Sequence, residues 1–145
     1  MDLRWQLQLF LGGAFCLGLC LMACGGSKAA SDIPEPPGTV EVGWDRIGME
    51  SPPVEQSPEA ILSLNPRRRL RISYRNYVGT TLVEAFLMPS QASAFEAEQK
   101  WRKEPGSVAF HRGKLFVICS SPTEPTGSVL NFSRNLEKAW LGPPQ

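Results

Sequence analysis

From Leu70 onward the chain alternates apolar and polar residues with a period of two. Leu70, Ile72 and Tyr74 fall on one side of an extended chain and Arg71, Ser73 and Arg75 on the other, the pattern of a half-buried strand. Thr80 to Met88 is more apolar and begins with β-branched residues, so it reads as a second strand, joined to the first by a turn near Val78 and Gly79. Pro89 stops this hairpin. A helix is expected from about Ala92 to Lys103, capped by Ser90, with a second capping-box spacing at Ser93 and Glu96. Its buried stripe would be Ala94, Phe95, Ala97 and Trp101, and Pro105-Gly106 would end it.

The same order then recurs. Ser107 to His111 and Lys114 to Ser120 flank Arg112-Gly113 as a second hairpin, with Val108 and Phe110 facing the core from one arm and Leu115, Val117 and Cys119 from the other. After a proline-containing loop, Ser128 opens a helix whose Val129, Phe132, Leu136 and Trp140 share one face, and Gly142-Pro143 closes it. The expectation is an α+β domain over 67–145: a four-stranded antiparallel sheet made of two hairpins, each followed by a helix, with both helices on one face and the other face wet. This duplicated ββα plan is similar to that of several small exported bacterial domains.

Ahead of this domain the pattern is different. Seven of the 13 prolines lie between Cys24 and Arg67, and the stretch 24–66 is otherwise rich in Gly, Ser and acidic residues, so it reads as a flexible tether. Two parts of it carry apolar patterning. Val40 to Met49 alternates and contains Trp44, consistent with an arm or extra edge strand packed on the domain. Ser57-Pro58 followed by Glu59, Ala60, Ile61 and Leu62 reads as a cap, a first-turn proline and a short helical turn.

At the N-terminus, Leu9 to Ala23 is an apolar run without a charge, preceded by Arg4 and the free amino group. A membrane-crossing helix needs about 20 apolar residues, so the run fits the h-region of an export signal over 1–23 better than a permanent span. It ends in Leu21-Met22-Ala23-Cys24, followed by Gly25-Gly26-Ser27. These residues resemble the lipobox of bacterial lipoproteins. The resemblance implies that Leu21 fills the apolar pocket of the signal peptidase, that Ala23 permits cleavage, and that the Cys24 sulfur receives a diacylglycerol, anchoring the chain to a membrane. Gly25 in place of an aspartate would, by the same resemblance, favour the outer membrane, facing the periplasm.

The charge balance is nearly even, 15 Lys plus Arg against 14 Asp plus Glu, so no global field draws nucleic acid, and an exported chain would not meet it. Of four cysteines only Cys119 would remain beside a lipidated Cys24, which excludes a disulfide framework and leaves a buried free thiol. The single histidine, His111, adjoins a turn and is expected in solvent. No metal-ligand spacing, phosphate loop or nucleophile elbow is present, and no cofactor is expected.

The sharpest chemical signal is Arg67-Arg68-Arg69-Leu70-Arg71, with Arg75 further along the same strand. Such a cluster fits an anion-binding patch for phospholipid head groups or acidic envelope polymers, or an edge strand kept soluble by charge. The expectation is therefore a non-enzymatic, lipid-anchored envelope protein that binds a protein or an anionic polymer. The alternative is a small exported enzyme with a site assembled from Glu84, His111 and Cys119.

Overall fold

The structure is a computed structural model that describes residues 33–41 and 43–143. Its elements are β1 (Thr39–Val40), β2 (Trp44–Glu50), α1 (Glu59–Leu62), β3 (Arg68–Arg75), β4 (Thr80–Leu87), α2 (Gln91–Lys100), β5 (Ser107–Arg112), β6 (Leu115–Ser120) and α3 (Thr126–Leu141). The strands form one antiparallel sheet in the order β1-β2-β3-β4-β6-β5, curled into a half-barrel. Six strands and three helices thus replace the expected four-stranded duplicated ββα. The two hairpins exist, but β2 and β1 extend the sheet beyond β3.

The helices also lie on opposite faces rather than one, and the central strands show why. β6 is apolar on both sides: Leu115, Val117 and Cys119 join one core, Phe116 and Ile118 the other. In β4, Val83 and Ala85 face the first core while Phe86 and the adjoining Met88 face the second. A strand apolar on both faces needs cover on both. α3 covers the first face with the stripe Val129, Phe132, Leu136 and Trp140, all buried as its period predicts. Phe132 sits at the centre of that core, its ring 4.8 Å from Trp44 and 5.4 Å from Tyr74 between centroids. α1 and α2 cover the second face through Ile61, Ala94 and Ala97.

The patterned part of 40–49 becomes strand. β2 pairs with β3 from Asp45 opposite Arg75 to Glu50 opposite Arg71, with a bulge between Arg46 and Gly48 that leaves Ile47 about half exposed. The segment before β1 is tied down at two points. Trp140 donates its indole N–H to Pro34 O at 2.9 Å, and the Tyr74 hydroxyl donates to Pro37 O at 2.7 Å.

Local details refine the helices. Ser90 caps α2 by accepting from the Ser93 N–H, but the helix stops at Lys100 because Trp101 is extended. Phe95, expected inside, is 52% exposed and touches His111 edge-on instead. The Ser57 hydroxyl does not cap α1; it is buried without a hydrogen-bond partner, and Pro58 holds the cap position. Among the described residues no helix is long and apolar enough to cross a membrane. Leu21, Met22, Ala23 and Cys24, with the rest of the export signal, lie outside the described residues.

Candidate functional site: the basic strand and the open edge

The arginine run does not assemble into one patch, because a strand turns successive side chains to opposite faces. Arg69 and Arg71 point to the face that carries Glu84, while Arg68 shares the face of Leu70 and borders a shallow cleft with Pro34, Glu35 and Met49. One oxygen of Glu84 gathers the first pair: it accepts from Nη2 of Arg69 and from Nε and Nη2 of Arg71, the last two at 3.2 and 3.1 Å. Arg71 also reaches Glu50 at 3.1 Å, and Arg69 donates to the Gln56 carbonyl at 2.9 Å. The Arg69 side chain, only 4% exposed, lies over the Phe86 ring and is committed to this network. Desolvating an arginine is costly unless a carboxylate compensates, so Glu84 keeps Arg69 inside rather than presenting it to a ligand. Arg67, just ahead of β3, and Arg75, at its far end, are exposed and roughly 26 Å apart at about 3.3 Å per residue.

His111 is not the solvated turn residue expected. Its ring packs against Phe95, and its Nδ1 meets the Glu98 carboxylate of α2, a partner 13 positions away. This pair ties the edge strand β5 to α2. Cys119 is a free thiol, fully buried in the α3 core, where burial pushes its ionisation above the ordinary range and disfavours the nucleophilic thiolate. Glu84 faces the opposite side of the sheet and is consumed by Arg69 and Arg71. Glu84, His111 and Cys119 therefore do not share a cleft. Among the described residues no three His, Cys, Asp or Glu side chains converge as a metal site.

One concave feature was missed by sequence reasoning. α2 and α3, on opposite faces of the sheet, both pack on β5, and β5 is the last strand of the sheet. The space along its free edge is a groove of about 710 Å³, lined by Trp101, Val108, Ala109 and Leu130, with Lys103 and Thr126 at one end. The hydrogen-bond phase of β5 follows from one bond: Ser121 N–H donates to Gly106 O at 2.9 Å. In an antiparallel ladder such pairs alternate, so Val108, Phe110 and Arg112 exchange bonds with β6, and the backbone groups of Ala109 and His111 point out of the sheet toward the groove.

That β5 is an edge follows from β4 pairing with β6 rather than with β5, which no local sequence signal announces. The one hint is composition: Ala109 is a small residue between larger ones, leaving the backbone accessible. Comparison with protein-family models, curated proteins and solved structures yields no match to this chain.

Proposed function

We propose that this chain is a lipid-anchored protein of the bacterial cell envelope, attached through Cys24, and that its folded part is a non-enzymatic binding or adaptor module. The anchor rests on the lipobox resemblance of Leu21-Met22-Ala23-Cys24, with Gly25 favouring the outer membrane and a periplasmic orientation. The binding role rests on the groove along β5, a recess about as large as those that enclose small ligands or peptide strands, flanked by two helices. Of the side chains weighed for an exported enzyme, Glu84 is held by Arg69 and Arg71.

The placement of the chain entry fits a membrane-facing end. From Cys24 to Ile33 the chain can stretch at most about 30 Å. Ile33 packs near Leu70, so the anchor enters at the end of the sheet where β3 begins and where Arg67 is exposed. Arg67 is then the member of the arginine run best placed to meet phospholipid phosphates.

Metabolic labelling with a palmitate analogue tests the anchor. The full-length chain takes up label and partitions with membranes, and the Cys24→Ala chain does neither; equal labelling of the two would remove the lipoprotein reading. Pull-down of the lipidated protein from envelope extract, with Cys24→Ala as control, then tests the adaptor role.

A further inference from the structure

We propose that the free edge of β5 receives an extended peptide segment of another protein, added antiparallel as a seventh strand, with acidic residues at its C-terminal end. This deepens the binding-module reading and does not depend on the lipid anchor.

Three observations specify the occupant. The first is the row of outward backbone groups. Ala109 and His111 offer N–H and C=O pairs two residues apart, and among the described residues nothing accepts from or donates to them. Groups at that spacing are matched by the backbone of another strand, which is why an exposed edge is a template for strand addition. Most proteins blunt such edges with prolines, inward charges or bulges; β5 has a regular six-residue register with no proline or bulge, and its one inward-held cation, Arg112, sits at the far end, bonded to Glu137 and the Gly142 carbonyl.

The second is the shape of the recess. α2 and α3 sit over β5 from the two faces, so the edge lies on the floor of a groove with Trp101 on one wall and Leu130 on the other. One thin strand can lie between such walls, with side chains alternately meeting Trp101 and Leu130, so apolar residues are expected at both phases near the centre. A second copy of the folded domain, bringing its own α2 and α3, meets a steric barrier there.

The third is charge at one end. A strand antiparallel to β5 runs from the Arg112 end toward Ser107 and finishes beside the start of α3. That helix has Pro125 at its cap position and no side-chain cap, so the Thr126 and Gly127 amides lack intrahelical partners. Lys103 lines the same end and, among the described residues, is not ion-paired; Glu104 also lines the groove, as does Glu98, which is held by His111. A helix N-terminus beside the Lys103 ammonium complements carboxylates, which places the acidic residues at the C-terminal end of the partner strand.

The test is a selection of displayed random peptides about a dozen residues long on the full chain, followed by amide exchange of the full chain with a selected peptide. Enriched peptides should be β-prone and end in Asp or Glu, and a saturating peptide should slow exchange of the Ala109 and His111 amides by about tenfold or more. Ala109→Pro removes an outward donor without touching the β6 ladder and should abolish binding; Ala109→Val keeps the donor and should retain it. Lys103→Glu should weaken binding and relax the acidic preference. No enrichment, helical consensus peptides, protection elsewhere than β5, or equal binding by folded Ala109→Pro would each overturn the proposal. So would protection of Ala109 and His111 in the free protein that disappears on dilution, because the edge would then belong to a second copy. Loss of palmitate labelling in wild type would remove the anchor and leave these outcomes unchanged.

Discussion

The indole N–H of Trp140 donates to the carbonyl oxygen of Pro34, 106 positions earlier, and so fastens the last turn of α3 to the segment that leads into β1. The Tyr74 hydroxyl holds the same segment three residues on, at Pro37. Either bond, once lost, leaves a part-buried carbonyl unmatched. Trp140→Phe and Tyr74→Phe should each lower stability by about 1 to 2 kcal/mol in urea unfolding. Because both bonds secure one segment, the double variant should cost less than the sum, since releasing the segment once forfeits both.

Tyr74 also makes stability depend on alkaline pH. Burial pushes its phenol from 10.0 up to about 12, since the phenolate would sit in a core with Phe132. The folded state thus binds its proton more tightly than the unfolded chain does. The corresponding stability is fully present below about pH 10 and is lost as pH rises toward 12, to the extent of about 2 to 3 kcal/mol for a shift of this size. Cys119 acts in the same direction, from a lower starting point of 9.0. Urea midpoints measured between pH 9 and 12 should therefore fall, and the fall should be shallower for Tyr74→Phe and for Cys119→Ala; an unchanged slope in both would remove this account.

What could be read from sequence follows the range of the forces involved. Local periodicity disclosed α3, β3 and the turn at Gly113, because a stripe such as Val129, Phe132, Leu136 and Trp140 is written within one element. The two-faced sheet was also written locally: Phe116 and Ile118 interleave with Leu115, Val117 and Cys119, and only the demand that both sides be buried was overlooked. β2 was harder, since Gly43, Gly48 and a bulge at Ile47 interrupt its alternation. The site was mostly illegible. A run of arginines looks like one cluster until the strand divides it, and the pairing of His111 with Glu98 exists only because α2 lies over β5. The edge groove depends on strand order, a property of the whole sheet.

Glu84 is the carboxylate on which the buried arginine depends. Glu84→Leu strands Arg69, whose Nε already lacks a partner, in a site closed to water. The expected loss is about 3 kcal/mol or more, as for other buried pairs with one partner removed. Arg71 is half exposed and retains Glu50, so it contributes little to the loss. Replacing both charges, Arg69→Met with Glu84→Leu, should recover most of the stability. If instead the single Glu84→Leu chain unfolds at the wild-type urea midpoint, the network is not holding Arg69.

Two glycines with left-handed backbone separate strain from crowding. Gly113 (φ 56°) turns the β5–β6 hairpin, and a Cβ there would meet open space, so Gly113→Ala should cost only the backbone preference, about 1 to 2 kcal/mol. Gly106 (φ 73°) has the same restriction and more: a Cβ would stand 2.6 Å from the Ser121 carbonyl oxygen, across from the bond that sets the phase of β5. Relief requires the start of β5 to move away from β6. The Gly106 N–H is also held by the Thr126 hydroxyl, so the start of α3 would move with it. Gly106→Ala should therefore cost about 2 kcal/mol beyond Gly113→Ala and, where the chain still folds, weaken peptide binding at β5, because Ser107 and Thr126 line the same groove as Lys103. Gly113→Ala should leave peptide affinity unchanged. Equal thermal midpoints for the two variants would show that the close approach at Ser121 relaxes without penalty.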